Sequence, residues 1–338
     1  MDRCKNPPGQ LPRRCRESKG KNELQSGCPE WRRPDGCRRG ASRYTATGVE
    51  MTNAREGMIN VPGGRVWYRI TGAGAPGIPL LVVHGGPGAP HDYLENLDRL
   101  SGERPVIFYD QLGCGRSDRP DDPSLWRLER FVAELSEVRR TLGLERVNLL
   151  GQSWGALPVL EHLLEGAKGV ERVVLSAPLV SSPHWMADQR ILLDAMPPET
   201  REAVRIAEER GLFDTEEYQE AMTAYYRRYL CRMDPWPDCL LRTFEGMGMP
   251  VYLTMWGPSE FTCSGSLKDV DLTPRLPEIR VPVLFTCGRH DEARPETVSR
   301  IREMVPGAGL AVIEDASHEH HLEQPDRYLA AVRTFLGS

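Results

Sequence analysis

The chain has 338 residues, of which 40% are hydrophobic and 27% charged, as in a globular protein with a substantial apolar core. The first fifty residues carry 12 Lys and Arg against 6 Asp and Glu, whereas the remaining residues carry 31 against 42. An acidic body argues against a nucleic-acid-binding protein and favours a substrate that carries a positive charge.

Residues 1–50 differ from the rest of the chain. They are rich in Arg, Pro, Gly and Cys and show neither a helical nor a strand period, so we expect a disordered basic extension, with Met51 as an alternative start. The segment has no apolar stretch of the kind that secretory signal peptides carry, and no run in the chain approaches the ~18 apolar residues of a transmembrane helix. We therefore expect no membrane partner.

The nine cysteines show neither the paired spacing of a metal site nor the even count of a disulfide framework. Reduced thiols are typical of the cytoplasm. The sequence therefore predicts a cytoplasmic protein with no metal and no other cofactor, and it leaves the oligomeric state open.

Short apolar strands alternate with helical segments from about residue 55 onward. A helix is predicted over residues 125–142. The alternation predicts an α/β fold with a mostly parallel sheet and helices on both faces. The predicted strands cover residues 66–70, 79–84, 106–110, 147–150, 173–178, 281–286 and 310–313.

Residues 181–272 interrupt this alternation. They are rich in aromatic residues and contain long amphipathic stretches at 198–209 and 216–232. We interpret this segment as a helical cap inserted between two parts of the core, residues 51–180 and 273–338. Ligands bind outside the carboxyl ends of the strands in open α/β sheets, so a cap inserted there would cover the site.

Residues 151–155 read Gly-Gln-Ser-Trp-Gly, between a predicted strand and an apolar stretch of helical character. In the α/β-hydrolase fold a G-x-S-x-G sequence forms a sharp turn that exposes the serine hydroxyl, and glycines flank the serine because the turn leaves no room for a Cβ. This context predicts that Ser153 is a nucleophile.

A serine nucleophile needs a base and an acid that orients the base, and in α/β-hydrolases the chain order is serine, acid, histidine. Asp291 follows the predicted strand 281–286 and is the candidate acid. The next strand is followed by three histidines. His318 is the preferred base because it comes first after the strand, and His320 and His321 remain alternatives.

Two backbone N–H groups are needed to stabilise the oxyanion. One candidate is the amide of Trp154, directly after the nucleophile. The other lies in the loop His84-Gly85-Gly86-Pro87-Gly88. His84 and Asp110 precede the serine, in the wrong order for the base and the acid, and His84 is interpreted as a residue that shapes the loop.

The chain resembles the proline iminopeptidases and the related tricorn-interacting aminopeptidase over about residues 55–338. This resemblance implies an α/β-hydrolase fold and the hydrolytic release of an N-terminal residue, typically proline, from small peptides or amino-acid amides. The motifs that carry it are residues 84–88, the Asp-Gln-Leu-Gly-Cys-Gly-Arg-Ser stretch at 110–117, residues 151–155, and Met-Trp-Gly-Pro-Ser-Glu-Phe at 255–261.

The resemblance also implies roles for individual residues. Glutamates hold the free amino group of the substrate in this family, and the matching positions are Glu260, within Gly-Pro-Ser-Glu-Phe, and Glu292, beside the acid. Paired carboxylates suit this task because they make charge-assisted hydrogen bonds to an ammonium. The other matching positions are Ser153, Asp291 and His318 for the catalytic triad, and Gly85 and Trp154 for the oxyanion hole.

Other functions remain open from the sequence. An amidase for amino-acid amides, or a biosynthetic amide or ester hydrolase, would use the same site, and an esterase would lack the ammonium site. A binding protein without catalysis is disfavoured by the intact serine, acid, histidine and glycines. The basic extension and the polar turn Ser-His-Glu-His-His at 317–321 depart from the family pattern.

Overall fold

The computed structural model describes residues 54–337, and the extension predicted for residues 1–50 lies outside the described residues. In this part of the chain eight strands form one sheet: β1 (Arg55–Val61), β2 (Gly64–Thr71), β3 (Leu80–Val83), β4 (Val106–Tyr109), β5 (Val147–Gln152), β6 (Val170–Ser176), β7 (Val283–Gly288) and β8 (Gly309–Ile313).

The same residues form ten α-helices: α1 (Leu128–Thr141), α2 (Ala156–Leu164), α3 (Ser182–Asp194), α4 (Pro198–Arg210), α5 (Glu216–Tyr229), α6 (Asp238–Glu245), α7 (Met249–Met255), α8 (Pro295–Glu303), α9 (His320–Glu323) and α10 (Pro325–Leu336). Four 3₁₀ segments accompany them: His91–Leu100, Pro123–Leu125, Ser153–Gly155 and Thr273–Glu278.

The strand order of the sheet is β1-β2-β4-β3-β5-β6-β7-β8. β2 pairs antiparallel with β1 and β4, and all the other neighbours pair in parallel. The strands from β3 to β8 therefore run in one direction. The loops that follow them meet at one edge of the sheet, where ligands bind in folds of this kind.

The central strands are apolar on both faces because helices cover both faces. In β3, Leu81 and Val83 belong to the core shared with α1, α2 and α8, whereas Leu80 and Val82 belong to the core shared with α10 and the segment His91–Leu100. Strands covered on both sides lose the alternation of polar and apolar residues, so a continuous apolar run indicates them. The predicted α/β architecture is confirmed.

β1 is absent from the predicted strands. It lies at the edge of the sheet, pairs only with β2, and packs on the core with alternate residues: Ile59 and Val61 are buried, whereas Met58 and Asn60 are exposed. This short alternating pattern contains Gly57 and lacks the apolar run by which the other strands were predicted.

Five helices, α3 to α7, lie between β6 and β7, in the segment that the sequence interpreted as a cap. The side chain of Thr215 caps α5 by accepting a hydrogen bond from the N–H of Tyr218, and Gly211 ends α4 in the left-handed conformation (φ 69°). Helices α3, α4 and α5 share an apolar cluster of their own, which includes Phe261. The cavity described below has part of its wall in this segment.

Three observations on residues 54–337 concern the surroundings of the protein. No helix in this range combines the length and the apolar character that crossing a bilayer requires. The range contains no cluster of His, Cys, Asp and Glu suited to a metal ion. Its cysteines are buried free thiols: Cys114, Cys231, Cys239, Cys263 and Cys287.

Candidate active site

Ser153 lies in the sharp turn between β5 and α2. Its φ is +52°, a conformation that costs energy for a residue with a Cβ. A Cβ at Gly155 would lie 2.2 Å from the carbonyl oxygen of Val83, and a Cβ at Gly151 would lie 2.5 Å from the carbonyl oxygen of Gly155. Glycine is therefore required at both positions by close backbone packing, and the turn brings Ser153 to the wall of a cavity.

Asp291 and His318 lie together in the loops that follow β7 and β8. His318 Nδ1 donates a hydrogen bond of 2.8 Å to Asp291 Oδ1, and both side chains are buried. Backbone N–H groups also hold the carboxylate, from Gly288 to Oδ2 (2.9 Å) and from Ala293 to Oδ1 (2.8 Å). Asp291 is thus fixed by the backbone, and it fixes in turn the ring of His318, which lines the same cavity as Ser153.

The two alternative histidines are held by other groups. His320 Nδ1 donates to the carbonyl oxygen of His318 (3.0 Å), and its Nε2 lies 2.9 Å from Thr286 Oγ1. His321 Nε2 donates to the carbonyl oxygen of Tyr93 (3.0 Å). Burial lowers the pKa of His320 to about 4 and that of His321 to about 3, so both rings are neutral. Of the three histidines, it is His318 that lines the cavity.

Carboxylates determine the charge of His318. Burial by itself would lower its pKa, but the negative charges of Glu292 and Asp291 outweigh burial and raise the pKa to about 10. His318 Nε2 lies 3.6 Å from Glu292 Oε1, and among the residues described Ser153 Oγ makes no hydrogen bond to this nitrogen. The charges of these two carboxylates therefore favour the imidazolium form of His318.

The glycine loop after β3 lies against the nucleophile. A Cβ at Gly85 would lie 3.0 Å from Ser153 Cβ and 2.5 Å from Gln152 Oε1, so a larger residue would displace the turn. The N–H of Gly85 donates to the hydroxyl of Tyr93 (2.7 Å), and this hydroxyl donates to Gln152 Oε1 (2.5 Å). The donor predicted for the oxyanion is thus already bound, whereas the next residue, Gly86, lines the cavity.

His84 and Asp110 hold the neighbouring loops in place. Burial lowers the pKa of His84 to about 4, and its neutral Nε2 accepts a hydrogen bond of 2.8 Å from the N–H of Gln111. Asp110 Oδ1 accepts from the N–H (3.0 Å) and the Nδ1–H (2.7 Å) of His91, and its Oδ2 accepts from the N–H of Arg116 (2.9 Å). Neither side chain lines the cavity.

The cavity has a volume of about 440 Å³. It is enclosed by the loops at the carboxyl edge of the sheet and by residues of the segment that contains α3 to α7. Ser153 and His318 line it together with Glu260 and Glu292, so the cavity brings together groups from four separate parts of the chain.

Glu260 reaches the cavity from the loop after α7. Its Oε2 accepts hydrogen bonds from the hydroxyls of Tyr226 (3.0 Å) and Tyr252 (2.9 Å). Burial raises the pKa of this carboxyl, and the two tyrosine hydrogen bonds act in the opposite direction. The sequence did not single out either tyrosine, because a tyrosine whose hydroxyl serves a site looks the same in one sequence as a tyrosine that packs in a core.

Glu292 lies close to His318 and is incompletely bonded. Its carboxylate is buried, and within the described part of the chain its Oε2 has no hydrogen-bond partner. The carbonyl oxygen of Glu292 accepts from Gln189 Nε2 (3.1 Å), which ties its loop to α3. Burial and the charge of Glu260 raise the pKa of Glu292, whereas His318 lowers it. A substrate cation between Glu260 and Glu292 would supply the missing partner.

Sequence comparisons identify similar proteins over most of the chain. A family model described as the alpha/beta hydrolase fold matches residues 78–325. A proline iminopeptidase of Heyndrickxia coagulans is 42% identical over 284 residues, which cover 84% of this chain and 99% of that protein. A proline iminopeptidase of Saccharolobus solfataricus is 34% identical over 287 residues, which cover 84% of this chain and 93% of that protein.

Solved structures are similar over the same range. The crystal structure of the proline iminopeptidase of Mycobacterium smegmatis matches with a TM-score of 0.77 and 33% identity, over 84% of this chain and 97% of that one. The crystal structure of VinJ matches with a TM-score of 0.79 and 36% identity, over 83% of this chain and 98% of that one.

Proposed function

Since the chain belongs to the proline iminopeptidase family of the α/β-hydrolase fold, we propose that it releases N-terminal proline from small peptides through an acyl-enzyme on Ser153. One observation carries the proposal. Ser153 and His318 share a cavity with Glu260 and Glu292, so a carbonyl at the serine and an ammonium at the glutamates fit one short substrate. A cavity of this kind favours an exopeptidase, because the substrate must present a free amino end.

In the proposed reaction Ser153 Oγ attacks the prolyl carbonyl carbon and its proton passes to His318 Nε2. His318 then gives this proton to the nitrogen of the second residue as the peptide bond breaks, which leaves a prolyl ester on the serine. Water attacks the ester by the same proton route and releases proline. The role of Asp291 is to orient the ring through its 2.8 Å hydrogen bond and to stabilise the imidazolium.

We assign the oxyanion hole to the backbone N–H groups of Trp154 and Gly86. This changes the prediction for Gly85, because the N–H of Gly85 already donates to the hydroxyl of Tyr93. The adjacent Gly86 lines the cavity and follows the same strand. Each donor to an oxyanion typically stabilises the transition state by about 3 kcal/mol.

The substrate ammonium has two effects in this proposal. It binds Glu260 and Glu292, and it offsets the negative charge that holds the proton on His318. The pKa of His318 then falls toward the range in which an imidazole acts as a general base. A substrate with no ammonium would leave His318 protonated, so binding and activation depend on the same group.

The alternatives are less well supported. An amidase is not favoured, because relatives with 34–42% identity over more than four fifths of the chain are named proline iminopeptidases. An esterase has no use for Glu260 and Glu292 as an ammonium site. We also propose a cytoplasmic location, since the five cysteines of residues 54–337 are free thiols.

A panel of p-nitroanilides tests the proposed function. We expect kcat/KM to be highest for proline p-nitroanilide and about tenfold or more lower for the leucine compound, the discrimination that pocket shape usually provides. The alanine compound should fall between them. Release that is equal for all three would contradict proline selectivity, and no release from any of them would overturn the proposed function.

The charge of His318 can be measured directly by NMR of its imidazole. We expect the ring to titrate near pH 10. In Glu292→Gln the ring should titrate about 1–3 units lower, because the substitution removes a negative charge 3.6 Å from Nε2. His320 serves as the internal control, since burial keeps its pKa near 4. An unchanged His318 titration in the variant would show that Glu292 does not hold the proton.

A further inference from the structure

The cavity wall contains two glutamates besides Glu260 and Glu292, namely Glu245 and Glu319, and the reaction described above gives no role to Glu319. Glu319 follows His318 directly, and its N–H donates to the carbonyl oxygen of Leu230 (2.9 Å), which fixes its backbone against the end of α5. The residue is only 4% exposed, and it lines the cavity.

The carboxyl of Glu319 lacks a bonding partner in the described part of the chain. Its Oε2 is buried without a hydrogen bond, and the nearest basic atom is His321 Nε2 at 3.5 Å. This nitrogen already donates to the carbonyl oxygen of Tyr93, and the ring of His321 is neutral, so it supplies no positive charge. A buried carboxyl that faces a cavity without a partner is suited to bind a group that enters the cavity.

The cavity is larger than the proline of the substrate requires. A volume of about 440 Å³ lies in the range of pockets that take drug-sized ligands, which are larger than one prolyl group. In the proposed complex the ammonium is held at Glu260 and Glu292, so the part of the substrate beyond the scissile bond would occupy the rest of the cavity. Besides Glu319, the cavity wall contains leucines and a phenylalanine: Leu230, Leu240, Leu241 and Phe244.

We propose that Glu319 and this apolar wall bind the side chain of the second residue of the substrate and select an aliphatic stem that ends in a cation, as in Lys or Arg. The inference rests on the proposed function. The stem packs on the leucines while the charged end meets the carboxyl, which is how long basic side chains are usually accommodated. A bond between an ammonium and a carboxylate is stronger than one between neutral groups.

The electrostatics of Glu319 agree with this role. Burial raises its pKa to about 8, an effect that the charge of His318 opposes and those of Asp291 and Glu323 reinforce. A lysine ammonium beside the carboxyl would favour its ionised form and remove the cost of a buried, unpaired acid. A glutamate in the substrate would meet four acids of the cavity wall: Glu245, Glu260, Glu292 and Glu319.

Three dipeptide amides test the subsite: Pro-Lys-NH₂, Pro-norleucine-NH₂ and Pro-Glu-NH₂. Norleucine matches the stem of lysine but has no charge. In the wild type we expect kcat/KM for the lysine compound to exceed that for norleucine by about tenfold, as for a hydrogen bond between charged groups, with the glutamate compound lowest. In Glu319→Gln the ratio of lysine to norleucine should fall to about one, with norleucine cleavage within about threefold of the wild type.

Glu323→Gln is the matched control. Glu323 ends α9, the short helix that directly follows Glu319, and its Oε1 accepts from the N–H of Ser317 outside the cavity wall, so this substitution should keep the preference for lysine. A wild-type ratio near one would overturn the subsite, and that measurement does not depend on the folding of any variant. A loss shared equally by all three dipeptides in Glu319→Gln would mean that Glu319 acts through His318, and it would also overturn the subsite. No cleavage of any prolyl dipeptide would overturn the proposed function as well.

Discussion

Replacing Ser153 with alanine is expected to lower kcat by about 10⁴-fold or more on proline p-nitroanilide, as for other nucleophiles that act as part of a catalytic unit. The fold should survive, because alanine keeps the Cβ that serine already places at a φ of +52°. The hydroxyl that is removed lies on the wall of a cavity rather than inside the core. Initial rates with purified protein measure the effect, and circular dichroism checks the fold. Retention of more than a tenth of the activity would contradict the assignment of the nucleophile.

Ser182→Ala is the matched control for this substitution. Ser182 begins α3, and its hydroxyl is buried with no hydrogen-bond partner in the described part of the chain. Its removal should therefore change neither kcat nor the fold.

Adding His318→Ala to Ser153→Ala should cause little further loss of kcat, because the effects of residues that act as a unit are not additive. His320→Ala should lower the free energy of unfolding but keep activity in the folded fraction, since its Nε2 contacts Thr286.

Blocking the amino group of the substrate is expected to lower kcat/KM by about 10³-fold or more, because a site built to bind a polar group rejects an analogue that leaves its buried groups unpaired. Acetyl-proline p-nitroanilide, compared with the free compound, measures this effect. In the proposed mechanism the loss of kcat/KM has two causes. Glu260 and Glu292 remain without a cation, and His318 retains its proton. Equal rates on the two compounds would indicate an esterase or amidase without an ammonium site.

Glu260→Gln separates recognition from the rest of the site. The amide oxygen can still accept from Tyr226 and Tyr252, so the substitution removes the charge and keeps the packing. The free substrate should lose about 10- to 100-fold in kcat/KM, the value of a hydrogen bond to a charged group, and the blocked substrate should change little. Glu217→Gln, at an exposed position of α5, is the control and should leave both substrates unaffected.

The parts of the fold that could be predicted from the sequence are those with a strong local pattern. β3 and β4 are continuous apolar runs because both of their faces are buried, and the amphipathic stretches at 198–209 and 216–232 correspond to α4 and α5. β1 was not predicted, since it buries only alternate residues and this alternating pattern is short.

The sequence by itself determined the order and approximate place of the chemical groups. Ser153, Asp291 and His318 each follow a predicted strand. Parallel strands bring their carboxyl ends to one edge of the sheet, independently of the conformation of the segments that connect them. The tertiary structure alone decided how groups within one turn are oriented. Neighbours along the chain differ in their partners: Gly85 donates to Tyr93 whereas Gly86 lines the cavity, and the cavity includes His318 but not His320.

Contacts between groups that are distant in sequence could not be predicted from the sequence either. The hydroxyls of Tyr226 and Tyr252 meet Glu260 through the packing of separate helices, and Glu319 lacks a partner only because of what the fold places around it. Local sequence encodes periodicity and turn chemistry, which act over a few residues. The direction of a side chain and the bonding of a buried polar atom depend on contacts between distant segments, so they are decided only when the chain is packed.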